Sequence, residues 1–96
     1  MITVRQLIWE QANIDHIKRH EVTQQEVEEI CYNNPVILSG HSNRLMCIGF
    51  TKSGRALIVI LDPEPIKDVY YPVTARSADR KERLYYNKQR GGKNDQ

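Results

Sequence analysis

The side chains best suited to chemistry in this sequence are cations gathered near its C-terminal end. Seven basic residues and two acidic ones lie between Arg76 and Lys93, a density that can follow a polyphosphate or an acidic protein partner. Arg76 ends the stretch Tyr70-Tyr71-Pro72-Val73-Thr74-Ala75-Arg76, and Arg80, Lys81 and Arg83 follow it closely. Guanidinium groups bind phosphate oxygens in pairs, and the unpaired N–H groups of a helix start add a further anion preference. Asp79 and Glu82 have the spacing of an N-cap and its N3 partner, so a helix should begin near residue 79. Cations in its first turns run against the helix dipole and call for a nearby negative charge. That charge is either Asp79 and Glu82 in solvated ion pairs, or a ligand phosphate held by Arg76 and Arg80.

Other reactive types are sparse. His16 and His20 stand at i and i+4, a spacing that can hold a transition metal, but no third ligand is marked and Lys18 and Arg19 would repel a cation. No metal site and no cofactor are expected. His20 closes the first helical segment and is the better candidate for acid–base work. Cys31 and Cys47 are far apart and each lies among apolar residues, as buried reduced thiols do. There is no nucleophile elbow, Gly-rich phosphate loop, paired-carboxylate signature or CxxC. Arg44 and Arg55 flank predicted strands, and each reads first as an ordinary solvated residue.

The elements that must position these groups follow from pattern. Residues 2–10 read as a short strand or extended arm, and residues 11–20 as a short helix with Ile14 and Ile17 on its apolar stripe beside Ala12. Thr23 and Glu26 form a capping box flanked by Val22 and Val27, so a second helix starts near Gln24, buries Val27, Ile30 and Cys31, and stops at Asn33-Asn34-Pro35. Strands are expected at residues 36–38, 45–50, 55–62 and 69–76, joined by short connections that make neighbours antiparallel. The run from Ala56 to Leu61 is apolar in both alternating sets and reads as a central strand. Val69, Tyr71, Val73 and Ala75 read as the apolar face of the last strand, and Pro72 places that strand at an edge or a bulge. The expected fold is α+β: two short N-terminal helices and a C-terminal helix on a three- to four-stranded antiparallel sheet. Residues 1–86 form one domain, and residues 87–96 form a flexible polar tail.

Composition agrees with a single compact unit. The chain has 96 residues, 40% of them hydrophobic, and a net charge of +2. Residues 1–48 carry four Lys/Arg against six Asp/Glu, whereas residues 49–96 carry ten against six. The longest apolar run is six residues, from Ala56 to Leu61, so no membrane span is expected, and the start carries no secretory pattern. A cytoplasmic location follows as the expectation.

Three stretches in order resemble the BrnT family of toxins from bacterial type II toxin–antitoxin systems, a branch of the RelE/ParE-like superfamily. They are Ile8-Trp9-Glu10 leading to Arg19-His20-Glu21-Val22-Thr23, then Arg44 to Phe50 followed by Gly54-Arg55, and finally Thr74-Ala75-Arg76-Ser77-Ala78 with Arg80-Lys81-Glu82-Arg83 and Tyr85. The likeness spans about residues 8–86. Arg19 stands where the family usually has Lys, Glu10 where it usually has Asp, and Glu21 where it usually has Gly, a position at which Glu cannot take positive φ as cheaply. The resemblance implies a metal-independent endoribonuclease that cleaves RNA by attack of its own 2′-OH and is bound by a small antitoxin, of the ribbon-helix-helix type. On that reading Arg76 clamps the phosphate, Arg44 is a second cation at the site and His20 is the base or acid. Arg80, Lys81, Arg83 and Arg55 would hold the RNA. The competing class is a non-catalytic binding module, or a degenerate toxin, docking nucleic acid or an acidic protein through the same corner.

Overall fold

The structure, a computed structural model, describes residues 2–91. Its elements are β1 (Gln6–Leu7), α1 (Gln11–Lys18), α2 (Gln24–Cys31), β2 (Val36–Ser39), β3 (Leu45–Phe50), β4 (Ala56–Pro63), β5 (Val69–Ser77) and α3 (Arg80–Gln89), with a short 3₁₀ turn at His41–Asn43. The fold is α+β, as the pattern predicts. The sheet has five strands in the order β1-β5-β4-β3-β2 rather than three or four, and it is mixed, because β1 pairs in parallel with β5 through Gln6–Val69 and Leu7–Tyr70. A two-residue strand carries no periodicity, and its partner lies more than sixty residues away, so local pattern does not reveal it.

β4 is central, as its double apolar alternation requires. Leu57, Val59 and Leu61 face α1 and α2 and join Ile17, Val22, Val27, Ile30, Cys31, Leu45, Cys47 and Ala75 in one core. Ile58 and its cross-strand partner Ile48 are buried on the opposite face, where α3 lies and Tyr86 meets Phe50 edge to face at 5.2 Å. Burying these apolar groups on both sides of one strand is the main source of stability.

The last strand does not alternate as expected. Ile60 pairs with Thr74 but Leu61 pairs with Pro72, so Val73 is an extra residue in a bulge. The bulge turns Pro72 inward among the largest fully buried side chains, and sends Tyr71 to the other face, where its hydroxyl donates to Glu10 Oε1 at 3.2 Å. β5 is covered by β1 only at Val69 and Tyr70, so its remaining length forms a sheet edge. The Pro72 carbonyl accepts instead from the buried amide of Asn13, at 3.1 Å, and the same amide donates to Ile8 O at 3.0 Å. Asn13 also accepts from the Glu10 N–H at 2.8 Å. The inner face of α1 is therefore Asn13 and Ile17, with Ala12 exposed, instead of the expected aliphatic stripe.

Both capping boxes foreseen from sequence are formed: Thr23 with Glu26 on α2, and Asp79 with Glu82 on α3. α3 continues past the expected domain end to Gln89, since Lys88 and Gln89 are good helix formers and Gly91 is the first residue suited to a stop. The rest of the expected tail, residues 92–96, lies outside the described residues. Among the described residues no helix is long and apolar enough to cross a membrane.

The turn joining α1 to α2 carries one strained residue. Glu21 sits at φ 60, a left-handed conformation that costs an L side chain about 1 kcal/mol. Its side chain is exposed, so nothing packs against a replacement. Glu21→Gly is expected to raise stability by about 0.5–1 kcal/mol in urea unfolding, the relieved strain being partly offset by a more flexible unfolded chain. A Glu21→Val change is expected to act in the opposite direction.

Candidate nucleic-acid interface

The site is built where β5 hands over to α3. Arg76 pairs with Ile58 of β4 and therefore shares the sheet face that α3 covers. The chain then leaves the sheet with the Ala78 N–H donating to Ala56 O at 2.9 Å, and Asp79 caps the helix by accepting from the Glu82 N–H at 2.8 Å. This turn brings the Glu82 side chain back over Arg76. Nη1 and Nη2 of Arg76 each donate to one Glu82 oxygen at 2.8 Å, and Nη1 also donates to Ser77 O at 3.1 Å. One Glu82 oxygen accepts in addition from the Asp79 N–H at 2.9 Å.

The guanidinium is thus fixed by one end. Two Nη1 donors and one Nη2 donor are engaged, while Nε and the remaining Nη2 hydrogen, which form the other bidentate edge, have no partner among the described residues. Arg76 is 46% exposed and Glu82 17%. The hydrogen bond to Arg76 holds the Glu82 carboxyl below its ordinary pKa, against an opposing effect of burial, and the same bond pushes Arg76 upward.

No family model, curated protein or solved structure matches the chain. The placement of each candidate residue therefore rests on the geometry alone. Arg80 and Lys81 are exposed in the first turn of α3, and their side chains have no hydrogen-bond or ion-pair partner among the described residues. Arg83 folds back to donate to Ala78 O at 2.9 Å and so braces the corner. Lys88 continues the exposed basic line, with Leu84, 55% exposed, between it and Arg80. Arg80 and Lys88 are eight residues apart, about 12 Å along the helix.

The other three candidates are not brought to this corner. Arg44 donates from Nε to Asp62 at 2.6 Å, beyond the far end of β3. Asp62 and Ile58, the neighbours of Arg44 and Arg76 on β4, are four residues apart, so about 13 Å of strand separates the two arginines. Arg55 lies at the same end of the sheet as Arg76 but on the α1/α2 side, where Nη1 donates to Glu26 Oε1 at 3.1 Å and to the Glu21 carbonyl. His20 belongs to that side too. α1 ends at Lys18, so His20 sits in the following turn, exposed, its ring 5.7 Å edge-on from that of His16. Among the described residues no three His, Cys, Asp or Glu side chains gather as metal ligands. The sheet itself stands between His20 and Arg55 on one side and Arg76 on the other, which corrects the expectation of one joint cluster of Arg76, Arg44 and His20.

Three carboxylates set this pattern: Asp62 for Arg44, Glu26 for Arg55, and for Arg76 Glu82, one of the two local counter-charges that the sequence offered. Glu26 was visible only as a helix cap, and Glu26 and Glu82 each cap a helix and hold an arginine. The cross-strand register that brings Asp62 to Arg44 has no signal in local spacing.

The Arg76–Glu82 pair yields a pH dependence with a definite sign. The folded-state pKa of Glu82 is lowered, so the pair's stabilisation is fully present above the ordinary carboxylate range and is lost as pH falls through the folded value. Glu82→Gln keeps an oxygen for the Asp79 N–H and Arg76 Nη1 but removes the charge and the second acceptor, which Arg76 Nη2 uses. At neutral pH it is expected to cost about 0.5–1 kcal/mol, since Arg76 is largely solvated. In urea titrations the gap between wild type and variant should close in acid; a gap that persists below the carboxylate range contradicts the assignment.

Proposed function

We propose that the chain binds RNA through phosphate contacts made by the β5–α3 corner, as a binding module of the RelE/ParE-like kind. The observation that carries this reading is the open Nε–Nη2 edge of Arg76, held in place by Glu82 and continued along α3 by Arg80 and Lys81. A fixed fork presenting two parallel donors matches a phosphate better than a mobile lysine does. Backbone contacts of this type give affinity and register without reading bases. Arg83 acts on RNA indirectly, by bracing the corner, and Arg55 supports the loop at Glu21.

A second reading is the toxin of a type II toxin–antitoxin system, an endoribonuclease working by 2′-OH attack and held by a small antitoxin. Glu21 favours it, because φ is 60 at the position where the BrnT family usually carries Gly, so the loop has the shape that the resemblance implies. Cleavage would require RNA to cross the end of the sheet from Arg76 to His20, since Glu82, the carboxylate that faces Arg76 from α3, is held in the ion pair with it. Arg44, engaged with Asp62 at the far end, has no part in such a path.

Fluorescence titration of a short single-stranded RNA over a range of salt, with the products run on a gel, separates the two. Binding is expected with a linear fall of log K against log salt. Arg80→Ala and Lys81→Ala should each reduce the slope by about 0.7, and Arg76→Ala should weaken binding about tenfold or more. Intact RNA after stoichiometric binding supports the module, whereas cleavage lost in His20→Ala supports the nuclease. Binding unchanged by all three cation substitutions would overturn both.

A further inference from the structure

The two edges of the sheet are guarded unequally. On the β5 side, β1 covers Val69 and Tyr70, Pro72 brings no N–H, the bulge at Val73 interrupts the ladder, and the Asn13 amide occupies the Pro72 carbonyl. Prolines, bulges and covering segments are the devices by which a sheet keeps further strands from adding to it. β2 forms the opposite edge and has none of them: Val36-Ile37-Leu38-Ser39 carries no charge, no proline and no bulge.

The register fixes which backbone groups of β2 are open. The Gly40 N–H donates to Arg44 O at 2.6 Å, which continues the ladder one pair beyond Ser39–Leu45. Bonded and open residues alternate along an antiparallel strand, so Val36, Leu38 and Gly40 turn to β3 while the N–H and C=O of Ile37 and Ser39 point outward. These outward groups have no partner among the described residues. Val36, Ile37 and Leu38 are half-buried. A cavity of about 470 Å³ lies open beside Ile37, lined also by Ile2, Val4, Tyr32 and Pro35, of which Ile2 is 42% and Tyr32 49% exposed.

We propose that β2 pairs with β2 of a second copy of the chain, antiparallel, about a two-fold axis through Leu38. In this register Ile37 of each copy faces Ser39 of the other, and their N–H and C=O groups form four hydrogen bonds, using every open group of both strands. Moving the axis to Ile37 would call on the Pro35 carbonyl and leave that of Ser39 unpaired. Leu38 meets Leu38 in a non-hydrogen-bonded pair, where side chains approach most closely. Val36 faces Gly40, so no charge opposes another anywhere along the seam. This complementarity of the strand to itself selects a second copy over an unrelated extended segment. The contact is isologous, and because the β5 edge is guarded, association stops at two. So short a strand buries less than the roughly 1,200 Å² of a stable interface, so the dimer is weak. The pairing is independent of RNA binding, but it sets both β5–α3 corners on one side of the joined sheet.

Sedimentation equilibrium of the full chain without RNA, from about 10 µM to 1 mM, is the test, a range suited to a small interface. A monomer–dimer equilibrium is expected. In hydrogen exchange followed by NMR, the Ile37 and Ser39 amides should gain protection as concentration rises, while those of Val36 and Leu38 are already protected by β3. Leu38→Lys sets two like charges face to face on the axis and should weaken the dimer about tenfold or more, with circular dichroism showing that the variant is folded. If it is not folded, exchange in the wild type decides. A chain monomeric throughout would overturn the proposal and leave the edge to a strand of another protein. A dimer without protection at Ile37 and Ser39, a folded Leu38→Lys variant that associates like wild type, or growth beyond the dimer would overturn it equally.

Discussion

α3 buries no residue, and its attachment depends on one carboxylate. Glu82 closes the capping box with Asp79, grips both terminal nitrogens of Arg76, and so joins the last helix to the last strand through a single side chain. Arg83 on Ala78 O and Tyr86 on Phe50 add support, but neither fixes the helix start. The consequence for function is that the anion-seeking start of α3 is already occupied by an internal anion. A ligand phosphate must therefore use what Glu82 leaves, the second edge of Arg76 and the exposed cations of the first turn.

The sheet decides which of the basic residues can act together. Its central strand is apolar on both faces, so helices must cover both, and side chains on the two sides of β4 are kept apart by a layer of packed Leu, Ile and Val. Arg55 and His20 go with α1 and α2, and Arg76 goes with α3. Arg44 is removed further, by the length of β3 and β4 that lies between Asp62 and Ile58. Each of the three arginines then finds a carboxylate within reach. Among the described residues Arg80 and Lys81 on α3 have no side-chain partner, and they form a surface suited to following a phosphate backbone rather than to assembling an acid–base pair.

Much of this fold can be read from the chain. Thr23 with Glu26 and Asp79 with Glu82 fix two helix starts because a capping box joins two residues only three positions apart, and Ala56 to Leu61 marks the central strand because burial on both faces erases polar alternation. What could not be read involves partners distant in sequence. β1 is too short for a period, the bulge at Val73 depends on its pairing with β4, and Asn13 earns burial only through the carbonyls of Ile8 and Pro72. The site follows the same division. Arg76 at a strand end, and Arg80 and Lys81 on a capped helix, are local facts. The separation of Arg44 and His20 from Arg76 is a product of topology.

The central claim is that Glu82 holds Arg76 by one edge so that the other meets RNA phosphate. Nitrogen-detected NMR of the arginine side chains during titration with a short single-stranded RNA addresses it most directly. The Nε–H resonance of Arg76 should move and saturate with bound RNA while that of Arg44, closed on Asp62, stays in place. RNA that binds without moving the Arg76 Nε–H, or that moves Arg44 instead, would contradict the account.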